Sequence, residues 1–527
     1  MTVQGVPRPT GSRDVVVLAI LVFFLASMFF GDAVYAYVSG TQATPISPPG
    51  PPPIGATLNI SSMSAGVISP SFWGLNLRAD QEPTPSMLSY VTSTPVKMLR
   101  WPGGNLAERY NMTANGGAGL IYNDDGSSVT PAWTTAQFVT WCESINCQSI
   151  FTVPAEIDNP SLAASYVAYV EGTLGFHPTY WEIGNEPDLW THFDIPWTRW
   201  STLQQTGATP AAFADIVHSY IEAMKLVDTN IRFIGLGGVG GSGGEAPWIS
   251  AVVGENGPNL TAIALHYYPA GSGTAGESDS HVYSTVNGTN SLSIRYARDQ
   301  EEIDSACPSC NIQVIVDEFG VGTGSNLDSF MSGFQIVPYI TAELEQGMYL
   351  NLSTMNLWVL ESTYPGSMFD PSGNAHPVSI LYSTILPLLD SIVLRTTVLS
   401  GLPNLYAIST ENVGLNPSTT LLIANLNTTY SASIQLAGSG FPLSGSGTAL
   451  MWDSQLSVPQ SRTLTSSVWV LPPESIGLWI GDAPVSSAVH APHANPLPIT
   501  WAMHLSPSLW GPDGNGGVLS AVPTRPE

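Results

Sequence analysis

Apolar positions along the chain fall into two rhythms. Over residues 54–388, short runs rich in β-branched residues alternate with longer stretches of helical periodicity, the pattern of repeated βα units around a parallel sheet. Runs at 71–77, 96–101, 149–153, 180–183, 231–236, 262–267, 312–316 and 355–360 predict eight strands, the number that closes a (β/α)8 TIM barrel of α/β class. Between them, Ala212, Phe213, Ile216, Tyr220, Ala223 and Met224 recur on one helical face and predict a helix over 210–227. Over 389–482 the apolar runs follow at intervals too short for intervening helices, which predicts a C-terminal antiparallel β-sandwich domain. Residues 54–68, ahead of the barrel strands, are expected to add a strand to that sandwich.

The flanks read differently. Arg8 and Arg13 precede an apolar run over 15–30 and a small-residue site at Ala36, so 1–36 reads as a signal peptide or a signal anchor. Either one places the rest of the chain outside the cell, secreted or anchored to the outer face of the membrane. Residues 37–53 are Pro-rich and suit a stiff linker, and 483–527 lack periodicity and suit a loosely ordered tail.

Composition narrows the partners. With 14 Lys and Arg against 40 Asp and Glu, the formal charge of −26 argues against nucleic acid or an anionic lipid surface and favours a neutral or weakly charged substrate. Attachment to a membrane would rest on the N-terminal segment alone. Charged residues are 10% of the chain, which suits either an acidic medium or a glycan-covered surface. Asn59, Asn111, Asn259, Asn287, Asn351 and Asn427 are glycosylation acceptors on an exported chain. Cys142 with Cys147 and Cys307 with Cys310 form two close pairs, so two local disulfides are the simplest pairing. A zinc site at Cys307-Pro-Ser-Cys310 is the alternative, with no histidine nearby to support it.

In a TIM barrel, chemistry sits where the strands end. The fourth strand ends Gly184-Asn185-Glu186-Pro187 and the seventh ends Asp317-Glu318-Phe319-Gly320. Two opposed carboxylates are what glycosidic cleavage requires, one to protonate the leaving oxygen and one to meet the oxocarbenium ion. A lone glutamate after a strand is usually solvated; here Asn185 and several aromatic residues accompany the pair. Glu182, four residues before Glu186, is expected in a deeper barrel layer, and Asp317 on the face opposite Glu318. Glu156, Asp158 and Glu361 follow other strands and are candidates to line a cleft. His266, Tyr267 and Tyr268 follow the sixth strand, with a packed core histidine as the alternative reading. The glycine run 237–244 lacks the Lys-Ser/Thr ending of a phosphate loop.

The segment Trp181-Glu-Ile-Gly-Asn-Glu-Pro-Asp-Leu-Trp190 resembles the acid/base motif of clan A glycoside hydrolases, closest to family 79, the heparanase and β-glucuronidase family. Leu99-Arg-Trp-Pro-Gly-Gly-Asn105 is similar to families 51 and 79, and Asp317-Glu-Phe-Gly320 looks more like family 51. The resemblance runs from about residue 56 to 480. It implies a retaining glycosidase in which Glu186 is the acid/base, Asn185 bonds the sugar 2-hydroxyl, Glu318 is the nucleophile and Arg100 keeps it ionised. His266 and Tyr267 are then candidates to touch the site, and Trp101, Trp190 and Trp358 to stack on sugar. No metal or organic cofactor is implied.

The substrate, a poly- or oligosaccharide, stays open between a β-glucuronide, a neutral β-glucan or xylan, and an α-L-arabinofuranoside. Arg78, Arg100 and Arg109 are the cations placed to meet a uronate. A non-catalytic surface protein that binds carbohydrate is the reading from another class.

Overall fold

The computed structural model describes residues 51–123, 127–192, 208–239, 244–271, 278–322, 324–412, 418–438, 447–454, 459–464 and 468–482. The segment read as a signal peptide or anchor, most of the Pro-rich stretch and the C-terminal tail lie outside them. Among the described residues no helix is long and apolar enough to cross a membrane.

Eight parallel strands close into a barrel: Trp73–Asn76, Met98–Trp101, Gln148–Val153, Tyr180–Ile183, Phe233–Gly237, Leu260–Tyr267, Gln313–Phe319 and Met355–Leu357. Each overlaps a run predicted from the sequence. The eighth ladder stops at Leu357, short of 360, and the seventh continues to Phe319, beyond 316. Nearly every position in these strands is buried, because helices cover the outside while side chains fill the inside. Thr209 caps one of the covering helices, Pro210–Lys225, which buries Phe213, Ile216, Val217, Tyr220, Ile221 and Met224.

Inside the barrel the strand period of two sets the layers. Met98, Ile150, Tyr180, Ala264 and Ile315 belong to one apolar plug. Two residues further along the same strands stand Arg100, Thr152, Glu182, His266 and Asp317, all buried. The polar layer thus rests on an apolar floor.

Cys142 bonds Cys147 and Cys307 bonds Cys310. Each bridge closes the turn between a covering helix and the strand that follows. With both sulfurs of the second pair in a disulfide, that pair offers no thiolates to zinc.

Besides a small sheet of the strands 110–111, 120–122 and 128–129, a second large sheet is one ladder of nine strands, in the order 460–464, 447–452, 475–482, 418–425, 405–412, 392–400, 54–67, 432–437, 468–471. The strand Ile54–Val67 pairs antiparallel with Ile392–Ser400 and parallel with Ala432–Ala437, the single parallel pair in an otherwise antiparallel sheet. Leu58, Leu421, Ile434, Ala449 and Trp479 share a core of its own, although their strands lie far apart in the ladder, so the sheet curls over itself. The helix Ile336–Tyr349 is buried along almost its whole length, and Tyr349 donates from its hydroxyl to the Ala407 carbonyl of this sheet at 3.2 Å.

Candidate active site

Arg100, wholly buried on the second strand, organises the upper barrel. Its Nε and Nη2 donate to the two oxygens of Glu182 at 2.7 and 3.0 Å, and its Nε lies 3.2 Å from Asp317 Oδ2. Nη1 reaches Glu318 Oε2 at 2.9 Å and Asn76 Oδ1 at 3.2 Å, and Nη2 reaches Asn185 Oδ1 at 2.8 Å. A planar fork with five donors suits such a site. Burial works against the guanidinium charge, but Glu182, Asp317 and Glu318 outweigh it and hold the group firmly protonated. Glu182 lies in the deeper layer, as its spacing predicts, and Thr152 Oγ1 donates to it at 2.6 Å.

Asp317 does not face away from Glu318. Ala264 is opposite Ile315 on the neighbouring strand and His266 is opposite Glu318, so three steps on the seventh strand match two on the sixth. The same mismatch recurs against the eighth strand, between Val316 and Phe319. A bulge therefore breaks the alternation and turns both carboxylates inward. Asp317 Oδ1 lies 3.4 Å from His266 Nε2. Burial pushes the Asp317 carboxyl up, yet Arg100 and His266 overcome it and hold it down to about 2. Burial, reinforced by Asp317, pushes Glu182 up to about 8.

His266 stands between the two candidate catalytic glutamates. Its Nδ1 is 2.9 Å from Glu186 Oε1 and its Nε2 is 3.8 Å from Glu318 Oε2. Burial alone would discharge the ring, but Glu318, Asp317 and Glu186 prevail and favour the imidazolium. Room for it comes from Gly238, at φ 69, since a Cβ there would overlap the imidazole. At Gly237 a Cβ would collide with the Gly184 carbonyl. Gly237 and Gly238 thus serve close packing.

Glu186 and Glu318 are 9% and 6% exposed. Donor atoms of Glu186, His266 and Glu318 all lie within 4.8 Å of one another, as do those of Glu182, His266 and Asp317. As an imidazolium His266 has no lone pair to offer a metal, which leaves each set two carboxylates. Burial raises the Glu318 carboxyl above its ordinary range, with Glu186 adding to the rise while His266, Arg100 and Tyr268 oppose it. The expectation that Arg100 would keep this carboxyl low is thus corrected: its attraction is divided among three carboxylates and does not offset burial.

The turn carrying Asn185 and Glu186 is tightly specified. Gly184 sits at φ 75 and Glu186 at φ 43, a left-handed conformation that costs a non-glycine residue about 1–3 kcal/mol. Asn185 donates from Nδ2 to Asn105 Oδ1 at 2.8 Å, and Trp190 Nε1 donates to the Asn185 carbonyl at 2.9 Å. Trp190 is 3% exposed and packs against Phe213, so it supports the turn instead of offering a face to sugar. Trp101 is also corrected. It is fully buried, stacked on Phe138, and donates from Nε1 to Thr135 Oγ1 at 3.1 Å.

Tyr267 points outward into the packing around Tyr339 and Glu343, while Tyr268 Oη donates to Glu318 Oε1 at 2.8 Å. Alternation carried one residue past the predicted strand end would have paired Tyr268 with His266. Trp358 lies over Gly104 and lines a depression of about 380 Å³ with Arg78, Asp80, Asn105, Arg109 and Tyr122. Glu156 is buried, Asp158 is exposed and Glu361 is half-buried, and none of the three lines this depression. Glu108, which no motif signals, accepts from the backbone amides of Asn185 at 2.7 Å and Glu156 at 2.8 Å.

No protein-family model and no curated protein matches the sequence. Solved structures do match in fold. The family 51 arabinofuranosidase from Xanthomonas axonopodis pv. citri superposes with a TM-score of 0.64 at 15% identity, covering 81% of this chain and 100% of that one. CelM2, a bifunctional glucanase-xylanase from a metagenome library, gives 0.60 at 13% identity over 82% and 100% of the two chains. A family 44 xyloglucanase from Paenibacillus polymyxa gives 0.62 at 13% identity over 81% and 100%. All are glycoside hydrolases, and the likeness is one of fold: a TIM barrel with an accompanying β-domain.

Proposed function

We propose that the chain is a retaining glycoside hydrolase of clan A that cleaves poly- or oligosaccharides outside the cell. The observation that carries the reading is the placement of Glu186 and Glu318 at the ends of strands four and seven, with carboxylate oxygens within 4.8 Å. Retaining enzymes hold their carboxyls ~5 Å apart, whereas inverting ones leave ~6.5–9.5 Å for a water. Glu318 attacks the anomeric carbon while Glu186 gives its proton to the leaving oxygen; Glu186 then takes a proton from the water that frees the sugar. Arg100 and Tyr268 orient the two oxygens of Glu318, and Asn185 is set beside Glu186 to meet the 2-hydroxyl.

For the substrate, the fork between Arg78 and Asp80 matters. Arg78 Nε donates to Asp80 Oδ1 at 2.9 Å, so this cation of the depression is already partnered. A neutral glycan suits this mouth better than a β-glucuronide. Sequence motifs lean toward family 79 and the strand-seven segment toward family 51, so the family stays between them. The disulfides and the export-type N-terminus support an extracellular location.

The test is hydrolysis of a panel of aryl glycosides, with proton NMR of the first-formed sugar. Retained configuration, loss of turnover in Glu318→Gly and its recovery with azide as the inverted glycosyl azide are expected. Inversion, or near-normal activity in Glu318→Gly, would remove the assignment. Absence of hydrolysis across the panel would favour a non-catalytic carbohydrate-binding protein.

A further inference from the structure

Glu108 is a buried carboxylate, 3% exposed, whose direct partners are main-chain amides. It follows the second barrel strand on the short helical turn Gly104–Arg109 and spans the tops of strands three and four. In the turn after strand four, the Gly184 amide goes to the Val153 carbonyl at 3.0 Å and the Glu186 amide to the Gly237 carbonyl at 3.0 Å. The amide between them, that of Asn185, goes to Glu108 Oε1 at 2.7 Å. The other carboxylate oxygen takes the Glu156 amide at 2.8 Å. One side chain therefore holds the step between the two that the barrel's own carbonyls hold. It does so next to a residue kept in a left-handed conformation, Glu186 at φ 43.

We propose that Glu108 is a positioning residue for proton donation: by holding the Asn185 amide against the top of strand three, it fixes the turn that aims Glu186 at the leaving oxygen. The inference rests on the reading of Glu186 as the acid/base. It requires both oxygens of Glu108 to accept, since both face N–H groups. A glutamine of the same volume would turn an NH2 toward one of them, losing a bond and setting donor against donor. Among the described residues no cation forms an ion pair with this carboxyl; burial pushes it up to about 7, while the backbone amides and the charge of Arg100 pull it back.

The consequence is selective. The first displacement needs a well-placed acid only when the leaving oxygen is basic, so misplacing Glu186 harms poor leaving groups and spares good ones. The experiment compares kcat/KM, which reports this first step, for the phenyl and 2,4-dinitrophenyl glycosides of the sugar that the wild type cleaves. Glu108→Gln is expected to lose on the order of 10²-fold with the phenyl glycoside, the scale of a small misplacement of a catalytic group, and little with the dinitrophenyl one.

The ratio of the two does not depend on the folded fraction. Glu108→Asp keeps the charge but falls a methylene short of both amides, and should show the same selectivity if the glutamine variant fails to fold. Equal losses on both substrates, or none on either, would overturn the proposal. Glu186→Ala serves as the control. If it shows no preference for the dinitrophenyl glycoside, the acid/base reading itself is wrong; if it does while Glu108 variants do not, only the positioning role falls.

Discussion

Tyr268 donates a 2.8 Å hydrogen bond to Oε1 of Glu318, on the oxygen that Arg100 leaves free. Hydrogen bonds to charged groups contribute about 1.5–3 kcal/mol. Tyr268→Phe should therefore lower kcat/KM by ~10-fold or more, whereas Tyr267→Phe, on the outer face, should leave it nearly unchanged. The bond also lowers the Glu318 carboxyl. Its removal raises that carboxyl further, and because the nucleophile must be ionised, the acid limb of the pH profile should move to higher pH. Even in the wild type that limb should lie above the 4.5 of an ordinary glutamate, since burial raises Glu318. Undiminished kcat/KM at pH 4 would contradict this.

Arg100→Met should be far more damaging than a surface arginine change. It leaves Glu182, Asp317 and Glu318 facing one another with His266 as their remaining cation. Breaking a buried pair by removing one partner costs about 3–5 kcal/mol. Urea denaturation should show a loss of that order, or no folded protein. A variant as stable as the wild type would mean that the carboxylates take up protons at little cost.

Stability should rise in acid. Glu343, wholly buried in the helix Ile336–Tyr349, is pushed up by burial from 4.5 to about 8, with the phenols of Tyr267 and Tyr339 opposing. Between those values the folded chain holds a proton that the unfolded chain has released, so this contribution is complete below about 4.5 and lost as pH rises through about 8. Glu345, in the same helix, is raised for the same reason. The Tm should be several degrees higher at pH 5 than at pH 8, and Glu343→Gln should flatten the dependence. A Tm that climbs from pH 5 to pH 8 would refute the assignment.

Period and spacing carried the fold a long way: the eight apolar runs became barrel strands because burial on both faces leaves little room for polar positions. Asn185, Glu186, Arg100 and His266 converge because they sit at or just past the ends of those runs. What alternation could not show was the bulge before Phe319, since a bulge is set by pairing with neighbours and not by the strand's own residues. Aromatic content misled for a related reason. Trp101 and Trp190 look like sugar platforms in sequence, but whether an indole is a wall or a beam depends on what packs behind it. Glu108 was invisible because its partners are amides, and every residue but proline has one.

The insertion of Ile54–Val67 beside Ile392–Ser400 has a consequence for synthesis. The strand leaves the ribosome before any of the barrel, while its partners, beginning with Ile392 opposite Val67, leave after all of it. It must wait unpaired through the making of the whole barrel, and pairings so distant in sequence form slowly. Cutting the gene between barrel and sheet would separate neither cleanly. The first piece would carry a strand with nothing to join, and the second would be a sheet with a gap in its middle, offering two raw edges to its own copies.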